Sequence, residues 1–156
     1  MGNQHEDDLF APSLGGGRAR VPPAGERPWR LGSQFYVAFF GGPIAAGLVG
    51  YLNGRRLGLP SPRLAAIAAV GLASLAAVAV AVAVVGESEN RSLRLLSAVG
   101  GIVAYLGIRQ LQQDADRRYG VGRHDDESYD SLWLPGLGIV LLGGVAAAIV
   151  LAVVAR

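Results

Sequence analysis

FFGGPIAAGLVGYLNGRR, residues 39–56, is the stretch on which the fold turns. An apolar run carries Gly41, Gly42 and Pro43 together near its start and the pair Arg55–Arg56 at its end. In water such a triplet stops a helix. Glycine loses the most backbone freedom on ordering, and proline lacks an N–H and clashes with the carbonyl four residues back. In lipid the same residues act differently. Small side chains let helices approach closely, and neighbouring helices re-satisfy a freed carbonyl. The reading therefore depends on the solvent around the run.

The remainder of the chain identifies that solvent. Residues 35–52 form 18 consecutive positions without a charge, residues 64–86 form 23, 95–108 form 14 and 132–155 form 24. Spanning ~30 Å of hydrocarbon takes ~20 apolar residues in a helix. Core helices of a water-soluble protein would keep a polar face, and these runs have none. The third run is short, about 21 Å as a helix. Arg94 and Arg109 bracket it and extend its reach by snorkelling. An interfacial helix would need a charged face, which 95–108 lacks. The expected fold class is all-α: an integral membrane bundle of four transmembrane helices with a short third span. The spans are expected at about 34–54, 62–86, 91–118 and 131–155, the third continuing into water. Residues 1–33 carry Gly15–Gly17, four prolines and mixed charge, and read as a disordered tail.

Composition agrees. Of 156 residues 51% are hydrophobic and only 17% charged, against ~25% in soluble domains. There is no cysteine, so disulfides and thiolate metal sites are excluded. All 14 basic residues are arginine. That usage, with abundant Ala, Gly and Val, reflects GC-rich coding and points to a bacterial source and a location in the cell (plasma) membrane, the bacterial inner membrane. Trp29 and Trp133 flank apolar runs and read as anchors in the aromatic belt.

Within the first run Gly42, Ala46, Gly50 and Gly54 recur every four residues, a small-xxx-small ridge for helix packing. Gly144 and Ala148 repeat the spacing in the fourth run. Gly41, Gly42 and Pro43 are expected to kink the first helix. A sharper alternative is a discontinuous helix whose unwound backbone coordinates an ion or substrate, as in transporters.

Catalytic chemistry is missing from the pattern. None of the four runs contains Asp, Glu, Lys, Arg or His, the default markers of ion paths and proton relays. There is no phosphate-binding glycine loop followed by lysine and no nucleophile elbow. RHDDESYD, residues 123–130, gathers acids and a histidine, but in neither an EF-hand nor a zinc-helix order. It reads as a solvated loop, so no metal and no cofactor are expected. Acidic residues dilute the arginines of the tail, which argues against nucleic acid as a partner.

The expected role is non-enzymatic: a small multi-pass structural or accessory protein whose partners are the lipid bilayer and either other membrane subunits or further copies of itself. The alternative is a small oligomeric transporter or channel with its pathway near the Gly-Gly-Pro break. With four spans the arginines divide seven to seven. Arg18, Arg20, Arg27, Arg30, Arg91, Arg94 and Arg156 lie on one side, and Arg55, Arg56, Arg63, Arg109, Arg117, Arg118 and Arg123 on the other. Charge then gives no orientation. The 34-residue tail, harder to translocate than the 54–63 loop, points to both termini in the cytoplasm.

Overall fold

A computed structural model describes residues 26–85, 90–121 and 129–154. The described residues are all-helical: α1 Leu31–Arg56, α2 Ser61–Val85, α3 Asn90–Gly120 and α4 Trp133–Val154, with no named strand. Three of these, α1, α2 and α4, are long and apolar enough to cross a membrane. The long α3 is apolar only in its first half and ends in RQLQQDADRRYG.

The length of α1 is deceptive, because the chain reverses inside it. A straight helix would separate Gln34 from Asn53 by about 28 Å. Yet the side-chain amides of both donate to one atom, Gln112 Oε1, at 3.4 and 3.2 Å. The reversal is at Gly42, whose φ of 70° and ψ of −164° are non-helical. Side chains rarely tolerate that conformation, which is essentially reserved for glycine. Pro43 therefore does not sit inside a helix clashing with Phe39. It opens the second half-helix, where no N–H is needed and its fixed φ suits the first position. Instead of the through-running, kinked span expected from the sequence, residues 31–41 and 43–56 form two arms of a helical hairpin.

Neighbours on α3 record the reversal. The first arm runs antiparallel to α3, with Gly42 beside Ser97, Ala38 beside Gly101 and Phe35 against Tyr105. The second arm runs parallel to it, with Pro43 beside Gly100, Gly50 beside Ile108 and Asn53 bonded to Gln112. Against α2 the second arm pairs Gly47 with Gly71 and Gly54 with Leu64. Against α4, Gly41 meets Val140 and Ala45 meets Gly143. The tip thus lies level with the middle of each of the other three apolar runs. Both ends of α1, the start of α2, the end of α3 and the start of α4 share one end of the bundle, called here the mouth. The far end holds the end of α2 and the start of α3, and α4 continues beyond the tip towards it.

The second arm ends cleanly. Gly58 adopts φ 70°, its N–H bonds Arg55 O at 3.0 Å, and Leu59 N–H bonds Gly54 O at 2.9 Å. This is the Schellman arrangement, with buried Leu59 as its apolar contact. Pro60 and Pro62 then bracket the start of α2.

Packing follows small residues, but not every expected one. Ala46, Gly50 and Gly54 are buried, facing α2 and α3. A side chain built on Gly50 would lie 3.3 Å from Ile67 Cγ2 and would run into Ile108. Gly144 and Ala148 meet no helix within the described bundle: Gly144 has open space around it and Ala148 is exposed. The inward small residues of α4 are Gly136, Gly143 and Ala147, of which Gly136 and Gly143 meet Val37 and Ala45. Gly50→Leu is expected to cost about 1–3 kcal/mol by overpacking, and Leu48→Ala, at a 39% exposed position, less. Thermal unfolding in detergent checks the order, and equal midpoints for the two variants would refute it.

Candidate functional site

The mouth concentrates the polar chemistry of the described bundle. Gln34, Asn53 and Gln112 are almost fully buried, and burying an amide costs free energy unless it is hydrogen-bonded. Here the three satisfy one another. Gln112 Oε1 accepts from both other side chains, and Gln112 Nε2 donates to Gly50 O. Asn53 Oδ1 accepts from the backbone N–H of Trp29 at 2.7 Å. One residue of α3 therefore pins the two arms of the hairpin together and ties the incoming chain to them.

Trp29 closes the mouth. The sequence places it as a lipid-facing anchor at the end of a disordered segment, but it is 2% exposed and packs with Val37, Val49 and Leu132. Residues 26–33 therefore belong to the folded bundle, while residues 1–25 lie outside the described part. The Arg56 guanidinium lies 4.0 Å from the Trp29 ring centroid, a cation–π contact. It also donates to Arg27 O and pairs with Asp130 at 3.3 Å and Glu26 at 3.5 Å. The indole Nε1–H of Trp29 has no acceptor among the described residues. A backbone bond from Asp130 N–H to Pro28 O completes the tie between the chain entering α1 and the chain entering α4. Trp133, in contrast, is 81% exposed at the start of α4, as an interface anchor would be.

Beside this cap a groove of about 510 Å³ opens between the start of α1, the second half of α3 and the segment before α4. Arg30, Arg109 and Arg117 line it with Tyr105, Asp116 and Tyr129. The Arg30 guanidinium lies 5.6 Å from the Tyr129 ring centroid, and Tyr129 Oη bonds Asp116 at 3.3 Å. Burial raises the Asp116 pKa above the ordinary carboxylate value, and the Tyr129 hydrogen bond pulls partly the other way. Burial, then the Asp116 charge, raises that of Tyr129.

At the hairpin tip the backbone is packed solid. Cβ atoms added to Gly41, Gly42, Gly100 or Gly101 would run into Ala45, Ser97, Val78 and Ala38 respectively. The tip also joins the C-terminal end of one half-helix to the N-terminal end of the next, so opposite partial charges meet there. The acidic stretch 123–130 falls mostly outside the described residues; its Asp130 serves the Arg56 pair. Among the described residues no group of His, Cys, Asp or Glu is placed to hold a metal ion.

Gln112 is the residue that sequence reasoning missed. It sits in a stretch that reads as water-exposed helix, and nothing local marks it as buried. Two unpaired polar side chains near the ends of one apolar run, Gln34 and Asn53, were the available signal that a third polar group must meet them. No protein-family model, curated protein or solved structure matches this chain.

Proposed function

We propose that the chain is a non-enzymatic membrane protein that crosses the bilayer three times, through α2, α3 and α4, with α1 as a re-entrant hairpin reaching the midplane. The arms of the hairpin are about 16 and 21 Å long, too short to span ~30 Å of hydrocarbon. The first arm begins at the mouth and the second ends there, so α1 adds no crossing. The four-span, seven-to-seven division of arginines then changes. By chain order Arg18, Arg20, Arg27, Arg30, Arg55, Arg56, Arg63, Arg109, Arg117, Arg118 and Arg123 belong to the mouth side. Arg91, Arg94 and Arg156 belong to the far side. Eleven against three is a strong bias, and the positive-inside rule puts the mouth and the N-terminus in the cytoplasm and the C-terminus outside.

The role this supports is structural or accessory. The observation that carries it is the solid packing of the hairpin tip: broken backbone at membrane depth is tolerated where it is buried in protein or lines a water-filled cavity, and here it is buried. The outward-facing Gly144 and Ala148 leave a small-residue face on α4 for another membrane helix. A transporter or channel is the second reading, favoured by the chain reversal at mid-depth. Purified protein in proteoliposomes is expected to pass no ions above empty vesicles and to co-purify from native membranes with a stoichiometric membrane partner. Ion flux above that of empty vesicles would establish the second reading instead.

Topology has a direct test, because the chain contains no cysteine and an introduced thiol stands alone. In intact cells a membrane-impermeant maleimide is expected to label Ser88→Cys and to reach Ser61→Cys only after permeabilisation. Four crossings with both termini inside give the reverse at both positions.

A further inference from the structure

The cationic groove at the mouth has more structure than an arginine-rich surface requires. Its guanidiniums come from two separate elements, Arg30 before α1 and Arg109 with Arg117 on α3, and all three line one concavity with the phenol of Tyr129. Arg109 and Arg117 are exposed and have no ion-pair partner among the described residues. Asp116 is the single carboxylate in the lining, and its oxygen is taken up by Tyr129. The lining thus carries a net formal charge of +2, from three guanidiniums and one carboxylate.

What lies below the groove narrows the ligand. Leu95, Val99, Leu106, Arg109 and Arg117 follow one another at helical spacings that keep them on one face of α3. Leu95, Val99 and Leu106 are at least half exposed, so an open apolar stripe leads up to the arginines. Tyr105 forms the floor of the groove and packs edge-on against Phe35, 5.7 Å between centroids. Tyr36 and Phe40 are exposed on the adjoining arm of the hairpin. A small soluble anion would use the groove and ignore the stripe. A molecule with an anionic head and a hydrocarbon tail uses both.

We propose that this groove holds the phosphate of an anionic phospholipid, with an acyl chain lying along the α3 stripe beneath it. Guanidinium forks match phosphate oxygens in a bidentate geometry, and the tyrosine hydroxyls stand at headgroup depth. The orientation given above sets the groove in the cytoplasmic leaflet, where anionic lipid attracts basic residues. The site rests on the membrane-embedded reading and not on the accessory role.

The test is lipid retention by native mass spectrometry, after purification from bicelles containing equal phosphatidylglycerol and phosphatidylcholine. Wild type is expected to keep phosphatidylglycerol preferentially. Removing a guanidinium weakens the attraction roughly fivefold, so Arg109→Gln/Arg117→Gln lowers the preference about thirtyfold. Arg63→Gln, an exposed arginine on the mouth side outside the groove lining, leaves it unchanged. Excess inorganic phosphate does not displace the lipid. If the double variant fails to fold, Arg109→Gln alone carries the test. Undiminished phosphatidylglycerol retention in the groove variants overturns the proposal, as does an equal loss in Arg63→Gln, which would show diffuse basic attraction. Displacement by phosphate overturns it in favour of a free-anion site. Recovery of wild type in the soluble rather than the membrane fraction is scored separately, since it would defeat the membrane reading itself.

Discussion

Gly42→Ala is expected to destabilise the bundle by about 2–6 kcal/mol, from backbone strain of about 1–3 and overpacking of about 1–3. The two terms have separate causes. Gly42 holds φ 70° and ψ −164°, a region that is strained for any residue with a Cβ. An added Cβ would also run into Ser97 Oγ. Ser97→Gly therefore relieves the second term and leaves the first, so the double variant should recover only part of the loss. Gly144→Ala, where nothing lies within 4 Å, is the matched control and should be neutral. Thermal unfolding midpoints in detergent decide. Full stability of Gly42→Ala, or complete rescue by Ser97→Gly, would mean the chain does not reverse at that residue.

Gln112→Leu should be nearly as damaging, although it places an apolar residue in a buried position. Gln112 accepts from Gln34 and Asn53 and donates to Gly50 O. Removing it strands two buried donors. Each such group costs about 1–3 kcal/mol, so a loss of about 2 kcal/mol or more is expected. The effects of Gln112→Leu and Asn53→Ala should fall short of additive, because both break the Asn53–Gln112 bond. The hairpin mouth should open as well, reported by faster maleimide labelling of Val49→Cys, which is 1% exposed in the native bundle. Wild-type stability with unchanged labelling would show that apolar packing alone closes the hairpin.

The helical class and the approximate helix positions could be read from the charge-free runs, because a ~30 Å hydrocarbon layer imposes length and composition on anything embedded in it. The small-residue faces were legible in part. Ala46, Gly50 and Gly54 point inward, but four-residue spacing marks a helix face without saying which face is covered. Gly144 and Ala148 have the same spacing on the outside. Trp29 was misplaced for a related reason. A tryptophan beside an apolar run belongs equally well to a lipid belt or a buried plug, and only the Asn53 bond and the Arg56 stack distinguish them.

The sequence alone thus determined that the molecule is built from apolar helices, that its break lies at Gly41–Pro43 and that its apolar runs hold no Asp, Glu, Lys, Arg or His. These are local properties, set by residue type and by what a neighbouring few residues can do. Whether the break bends the helix or turns it back was decided by tertiary contacts. A Gly-Gly-Pro permits either outcome, and the difference lies in two bonds between residues 78 and 59 apart, from Gln34 and from Asn53 to Gln112. From that one reversal follow which end of the bundle both ends of α1 occupy and where the cationic groove forms. No periodicity along the chain could encode them, because loop closure over such separations is settled by the packing and hydrogen bonds gained, and by no single stretch of sequence.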